Sequence, residues 1–267
     1  MINLDELFEK YFRNFLKENA GKFTEEELEN KVSEIYENFG TEPLSELNGK
    51  SPKEYFSAMK TEELVKTVAD CVNGGVPVSD FLCEEIVSRK DADAYLSRFV
   101  GTKCAEELAV YCVNLLSEMN SDIAFDKYVD ILSDGSAGES LSETITEILS
   151  ENADKVKEKI LSLYGKSEKA KIYYDEILSK ASADERIFAA LCEEFRSHLN
   201  EIPVYSSYLA KYGDDRALPL LYEAIERKDI SYLDFKELKI AIEALGGEYD
   251  AERDFKTDRF YKKLKGN

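Results

Sequence analysis

The feature that most constrains the fold of this chain is a helical spacing of apolar residues that recurs along most of its length. The first segment carries one such stripe at intervals of three and four residues: Leu4, Leu7, Phe8, Tyr11, Phe12, Phe15 and Leu16. This spacing places the side chains on one face of an α-helix. No window shows the alternating β-branched pattern of a strand. The sequence therefore predicts an all-α protein.

Polar signals indicate where the helices begin and end. Thr24 and Ser51 each stand three residues before a glutamate, as in a capping box, and Pro52 suits a first helical position. Gly40 is expected to end the second helix in a left-handed conformation. Further helices are expected to begin near Thr61, Ser79, Asp91, Thr102, Ser121, Ser140, Asn152, Ser167, Asp184, Pro203, Asp214 and Ser231. Because the connectors are short, consecutive helices should pack as antiparallel pairs.

The helix starts also have a longer period. Every second start recurs after roughly thirty residues, which is in the range of helical-pair repeats. A helix pair cannot bury its inner faces alone, so successive pairs are expected to stack into an array. The spacing is loose, and an irregular helical bundle is the alternative.

One segment carries a family pattern. Residues 212–226 read YGDDRALPLLYEAIE, with Gly-Asp, Arg-Ala and Pro ahead of a helix, and residues 232–246 read YLDFKELKIAIEALG. Together they resemble a HEAT repeat of the phycobilisome-lyase type. The resemblance implies an α-α superhelix, a HEAT-like solenoid of stacked antiparallel helix pairs. It implies no particular chemistry.

Three regions are predicted on this basis. Residues 1–60 would form an N-terminal helical cap, residues 61–251 the HEAT-like array, and residues 252–267 a basic C-terminal tail. The tail has six Lys and Arg residues against three Asp and Glu residues. It is interpreted either as a solvated helix or as an arm that meets an acidic surface.

Net charge limits the partners. The chain has 35 Lys and Arg against 55 Asp and Glu, a formal charge of −20. Such a surface repels phosphate backbones and anionic lipid, so neither nucleic acid nor membrane is predicted as a partner. HEAT-like DNA glycosylases hold DNA on a basic face that bears Trp, and this chain has no Trp.

The cysteines point to a reducing compartment. There are five of them, an odd number, and no pair has the C-x-x-C spacing of a zinc site. All are interpreted as structural thiols. The first residues lack the basic and apolar regions of a secretory signal, and a cytoplasmic location is predicted.

Two short motifs resemble the end of a phosphate-binding loop. They are Gly49-Lys50-Ser51 and Gly165-Lys166-Ser167, but Leu44 and Ile160 occupy the positions that need an earlier glycine. Both are therefore interpreted as a helix stop followed by a helix cap.

No catalytic residue, metal site or cofactor is predicted. His198 is the only histidine, and it is interpreted as a helix-end residue that interacts with the dipole. The acidic fragments at 91–93 and 133–139 lack the spacing of a calcium loop.

The predicted function is a non-catalytic scaffold that binds a protein or peptide on a concave acidic face, with a basic segment as the expected partner. The expected contact residues are Glu143, Glu147, Lys236, Lys239 and Glu243. Two alternatives stay open. One is a HEAT-like enzyme of the DNA glycosylase or chromophore lyase type. The other is a helical bundle with a small-molecule pocket lined by tyrosines such as Tyr205, Tyr208 and Tyr212.

Overall fold

The computed structural model describes residues 2–101 and 104–264 of the chain. In these ranges it contains sixteen α-helices and no β-strand, which confirms the all-α prediction. The helices are α1 (Leu4–Glu18), α2 (Glu25–Thr41), α3 (Pro52–Ser57), α4 (Thr61–Asn73), α5 (Asp80–Ser88), α6 (Ala92–Leu96), α7 (Glu106–Glu118), α8 (Phe125–Asp134), α9 (Glu139–Glu151), α10 (Ala153–Leu163), α11 (Lys171–Leu178), α12 (Glu185–Ser197), α13 (Ile202–Tyr212), α14 (Leu218–Ile225), α15 (Tyr232–Ala244) and α16 (Arg259–Leu264). Four short 3-10 helices lie at Ser45–Leu47, Ser97–Phe99, Glu168–Ala170 and Asp215–Ala217.

The helices form two compact units. The first consists of Met1–Tyr128 and Ser136–Thr144, and the second of Val129–Gly135 and Ile145–Asn267. The division passes through α8 and α9. The predicted boundaries at residues 60 and 251 stay predictions.

An aromatic cluster holds the start of the first unit together. Phe39 on α2 is fully buried, and its ring centroid lies 5.4 Å from that of Phe8 on α1 and 6.2 Å from that of Phe81 on α5. The Tyr36 ring stacks on Phe81 at 4.7 Å. Each of these rings removes a large apolar area from water.

Gly40 has a different role from the predicted one. Helix α2 continues to Thr41, and Gly40 is not in a left-handed conformation. A Cβ atom at this position would lie 2.5 Å from the Phe81 ring. The glycine therefore permits close packing of an aromatic ring on the helix, and the expected left-handed stop was wrong.

Most helix starts fall where the sequence places them. The capping boxes at Thr24, Ser51 and Ser231 are formed. Helix α4 begins at Thr61, but Lys60 is its N-cap. The cap predicted at Thr102 lies outside the described residues.

Side-chain hydrogen bonds join residues that lie about one helix pair apart in the chain. In the first unit, Thr61 Oγ1 donates to Asp91 at 2.9 Å across 30 residues, and Lys127 Nζ donates to the Ser97 carbonyl at 2.7 Å across 30 residues. In the second unit, the Tyr212 hydroxyl donates to the Asp184 carbonyl at 3.0 Å across 28 residues. This spacing matches the period of the helix starts.

Asp-x-Arg segments repeat this arrangement in the second unit. Asp184 accepts from the backbone N–H of Arg186, and the Arg186 guanidinium reaches Glu158 at 2.6 Å. Thirty positions later the pattern recurs: Asp214 accepts from the backbone N–H of Arg216, whose guanidinium lies 3.0 Å from Glu185. We call these residues the Asp–Arg ladder. The two steps place equivalent ion pairs at the start of α12 and at the start of the 3-10 helix at Asp215–Ala217, with α13 between them.

The described part of the basic C-terminal segment packs on α15. Phe255 is buried, and its ring centroid lies 5.2 Å from Phe235 and 5.4 Å from Tyr232. Arg253 donates to the backbone carbonyl of Arg227 at 2.6 Å. This segment therefore folds back through an aromatic contact and is not merely a solvated extension.

Candidate protein-interaction surface

Helix α15 has one face in the core and one in solvent. The capping box at Ser231 fixes where the helix begins. The helix packs against α13 and α14, and its buried side chains are Phe235, Leu238, Ala241, Ile242 and Leu245. The opposite face is defined by Leu233, Lys236, Ile240 and Glu243, all exposed. We call these four residues the α15 face.

Two apolar residues on this face are unusual. Leu233 is 39% exposed and Ile240 is 52% exposed, and they lie seven residues apart, two turns along the same side of the helix. Large apolar side chains turned to solvent on a helix with a complete buried stripe gain nothing from folding. A cluster of such residues among charges is typical of a contact surface. Neither residue is among the contact residues predicted from the sequence.

The predicted contact residues on α15 are accessible. Lys236 and Glu243 are exposed members of the α15 face, and Lys239 is half-buried at its edge. Within the described ranges none of the three forms a salt bridge, so their charges are available to an external group. Their role in binding stays a prediction.

The predicted contact residues on α9 are also accessible. Glu143, which belongs to the first unit, and Glu147, which belongs to the second, are both exposed. They lie on the same side of the helix as Glu139 and Glu151, because all four recur at intervals of four residues. None of these four glutamates forms a salt bridge with another described residue. Like charges at this spacing destabilise a helix by about 0.2–0.5 kcal/mol per pair, so the stripe contributes nothing to folding.

A second candidate is a network of ionisable groups inside the second unit. Asp175 on α11 is fully buried and accepts a hydrogen bond from the Tyr164 hydroxyl. Glu194 on α12 is also buried and accepts from Lys171 Nζ at 2.9 Å. His198 Nδ1 lies 3.5 Å from the Glu194 carboxylate. We call these five residues the buried ionisable network.

Burial dominates the electrostatics of the network. It raises the pKa of Asp175 to about 7, in spite of the hydrogen bond from Tyr164 and with the Glu194 charge nearby. Burial also raises the pKa of Tyr164. One oxygen of Asp175 and one of Glu194 are buried without a hydrogen-bond partner. Shifted groups of this kind occur both in catalytic sites and in structural networks.

His198 lies where the sequence predicts it, at a helix end. It is the C-cap of α12, and its Nδ1 atom lies 2.9 Å from the Glu194 carbonyl oxygen. Its ring stacks on Tyr205 at 4.4 Å. Tyr205 and Tyr208 are buried, which favours the core interpretation of these tyrosines, and Tyr212 is half-buried.

The thiols and the phosphate-loop-like motifs have structural roles. All five cysteines are free. Burial raises the pKa of Cys83 to about 11 and of Cys112 to about 12, so neither is poised as a thiolate. Ser51 caps α3, as the helix-start interpretation of Gly49-Lys50-Ser51 requires. Ser167 of the second motif precedes the 3-10 helix at Glu168–Ala170, but its side chain makes no capping hydrogen bond.

Among the described residues, no group of three or more His, Cys, Asp and Glu side chains is placed to hold a metal ion. None of their helices combines the length and hydrophobicity of a membrane span.

Comparison with known proteins adds no family. No protein-family model matches this sequence, and no curated protein or solved structure is significantly similar to it.

Proposed function

We propose that this protein is a non-catalytic scaffold that binds a segment of another protein. The observation that carries the proposal is the pair of exposed surfaces on α9 and α15, whose charges have no salt-bridge partner within the described chain. Surfaces of this kind cost folding free energy and are explained by an external partner.

The proposal includes a HEAT-like α-α superhelix. The resemblance of residues 212–246 supports it, as do the hydrogen bonds that join residues about thirty positions apart. Both steps of the Asp–Arg ladder link the start of one helical segment to an earlier helix in the same way. Stacked pairs of this type leave a long flank free for recognition.

The partner of the α9 stripe is a basic segment. Four glutamates at four-residue intervals present a line of negative charge, and the whole chain has a formal charge of −20. A Lys- or Arg-rich peptide would neutralise that line, and association would weaken as salt rises.

The α15 face supplies a different kind of contact. Leu233 and Ile240 would be the apolar anchors, with Lys236 and Glu243 beside them. Binding free energy at protein interfaces concentrates in apolar anchors that become fully desolvated, and neighbouring charges mainly set orientation. The partner of this face is therefore an amphipathic segment.

Selection from a library of helical peptides, followed by calorimetric titration of the selected peptide, tests the proposal. The triple substitution Glu143→Lys, Glu147→Lys and Glu151→Lys on the α9 stripe is expected to weaken the binding of a basic peptide by about tenfold or more. The matched control is Glu18→Lys, Glu26→Lys and Glu29→Lys, which changes the net charge by the same amount at exposed positions of α1 and α2. Equal weakening by both variants would show a nonspecific charge effect and contradict the proposal.

The enzyme alternative of the glycosylase type has its own test. A mobility-shift experiment with duplex DNA at low salt is expected to show no complex, because the net charge of the protein repels the backbone. A shift that survives physiological salt would favour the enzyme.

A further inference from the structure

A cavity of about 550 Å³ lies in the first unit. This volume is within the range of about 300–1,000 Å³ that small-molecule sites occupy. Its walls come from the start of α1, the 3-10 helix at Ser45–Leu47, α3, α4, the connector after α4, and α5. Several helices and one connector therefore line the same cavity.

The floor of the cavity is apolar and its rim is polar. The buried floor residues are Leu4, Leu47, Phe56, Cys71 and Leu82. The rim includes Thr67, Asp70 and Asn73 from consecutive turns of α4. Such a hollow takes a molecule with an apolar body and a polar end.

Ser79 gives the cavity an unsatisfied polar group. Only 6% of Ser79 is exposed, and its buried hydroxyl has no hydrogen-bond partner. It is the N-cap of α5 yet makes no capping hydrogen bond, contrary to the sequence-based prediction. The Tyr36 phenol is the neighbouring polar group: burial raises its pKa to about 12, and its interaction with Ser79 opposes that rise. A buried hydroxyl left unpaired costs about 1–3 kcal/mol, which a ligand atom would recover.

Among the described residues that line the cavity, Asp70 is the only one with a charged side chain. It is exposed in the last turn of α4, where a negative charge is unfavourable because it faces the negative end of the helix dipole. No ion pair to Asp70 forms in the described residues. The carboxylate therefore costs α4 stability unless a cation binds beside it.

Covalent capture by Cys71 does not fit the site. Burial, with Asp70 nearby, raises the pKa of the Cys71 thiol. The thiol therefore stays protonated and is a poor nucleophile.

We infer that this cavity binds a small organic amine, with its apolar body on the floor and its ammonium group at Asp70. The Asp70 carboxylate accepts hydrogen bonds from an ammonium group, which has three N–H donors, and the Ser79 hydroxyl oxygen is a further acceptor in the same cavity. Tyr55 also lines the cavity and adds an aromatic side chain to its walls. This site is independent of the proposed scaffold function, because its lining residues share none of the α9 or α15 contact residues.

The test uses three probes with one apolar body and different charges: 3-phenylpropylamine, 3-phenylpropanol and 3-phenylpropanoate. Each is titrated into the full chain and followed by two-dimensional NMR, which reports on the backbone amides of Asn73, Gly74 and Ser79. The amine is expected to saturate these shifts at the lowest concentration and the carboxylate at the highest. Preference for the alcohol or the carboxylate, or no saturable shift with the amine, overturns the inference.

Three variants locate the site. Asp70→Asn is expected to weaken the binding of 3-phenylpropylamine by about tenfold or more, because a charge-assisted hydrogen bond is lost. The affinity for 3-phenylpropanol is expected to stay the same. Glu62→Gln is the matched control, since it removes one exposed charge from the same helix outside the cavity. Thr67→Trp is expected to fill the cavity and abolish binding of all three probes. Amine affinity that survives both Asp70→Asn and Thr67→Trp overturns the inference.

Ser79→Ala separates binding from folding. The substitution removes an unpaired hydroxyl, so the thermal midpoint is expected to stay the same or rise while amine affinity falls severalfold. A fall in the midpoint with unchanged affinity would show that Ser79 serves only the fold, and would overturn its role in the site.

Discussion

The two units stabilise their interiors in contrasting ways. The first packs rings around Phe39, which needs no hydrogen bond and carries no charge. The second buries Asp175 and Glu194 and relies on Tyr164 and Lys171 to satisfy them. Both interiors are built from helices. A helical unit can therefore have an interior that is insensitive to pH or one that depends on it.

The contrast comes from the cost of burial. Apolar rings gain free energy when they leave water. A buried carboxylate loses hydration and is tolerated only if it is protonated or paired. The aromatic cluster is expected to tolerate changes of pH and salt, whereas the buried ionisable network is expected to respond to pH. The following predictions measure that difference, beginning with the largest effect.

Phe39→Ala is expected to destabilise the first unit by about 3–5 kcal/mol, the usual cost of removing a buried ring. The loss is expected to be equal at pH 5 and pH 8, because the surrounding side chains are aromatic. Hydrogen exchange read by mass spectrometry assigns the loss to a unit. Phe260→Ala, at an exposed ring, is the control and should change stability little. If the stability loss caused by Phe39→Ala varied with pH, the proposed difference in pH sensitivity between the two units would be contradicted.

Lys171→Met is expected to destabilise the second unit by about 2–3 kcal/mol, because Glu194 loses its charged hydrogen-bond donor. Urea unfolding measures the change. The double variant Lys171→Met with Glu194→Gln is expected to recover part of the loss, since the uncompensated buried charge is gone. Without any recovery, the stabilising role of the pair would be refuted.

Asp175 is expected to make the second unit less stable as pH rises from about 4 to 7. Its pKa is near 3.8 when unfolded and about 7 in the fold, so the folded state binds the extra proton in that window. The slope has a limit of about 1.4 kcal/mol per pH unit, and above pH 7 the contribution levels off.

Asp175→Asn is expected to remove this slope, since asparagine does not titrate. Urea unfolding at a series of pH values measures it. Asp250→Asn, at an exposed carboxylate, is the control and should leave the slope in place. If the slope persists in Asp175→Asn, another group in the network is titrating.

The smallest expected effect is in the Asp–Arg ladder. Arg216→Met removes exposed ion pairs to Asp214 and Glu185 and should lower stability slightly at low salt and less at high salt. Arg13→Met, at an isolated exposed pair with Glu9, is the control and should cost less. Salt-dependent unfolding in urea compares the two. If Arg216→Met lost more stability than Lys171→Met, the exposed ion pairs would matter more than the buried one, and the proposed order of the two effects would be wrong.

Sequence reasoning predicted the helices well because caps and apolar stripes are local signals. The capping boxes at Thr24, Ser51 and Ser231 needed only neighbouring residues. Gly40 was misinterpreted because its role depends on Phe81, which is distant in the chain.

The sites were harder to predict. Asp175 follows Tyr174 at the edge of the apolar stripe of α11, but among 55 acidic residues nothing local marked it as buried. Leu233 and Ile240 were visible as apolar residues, yet only packing shows which of them the core leaves exposed. Exposure and burial are properties of the whole unit, and a local pattern does not determine them.

The contact of Phe255 with Phe235 and Tyr232 has a practical consequence for anyone who trims this chain. The HEAT-like pattern predicted from the sequence stops at Gly246, but the first turn of α15 is covered by the Phe255 ring nine residues further on. A fragment that ended at Gly246 would expose the side chains of Tyr232 and Phe235 to solvent, and such a fragment would be prone to self-association. A well-behaved fragment must extend past the repeat, at least through Phe255.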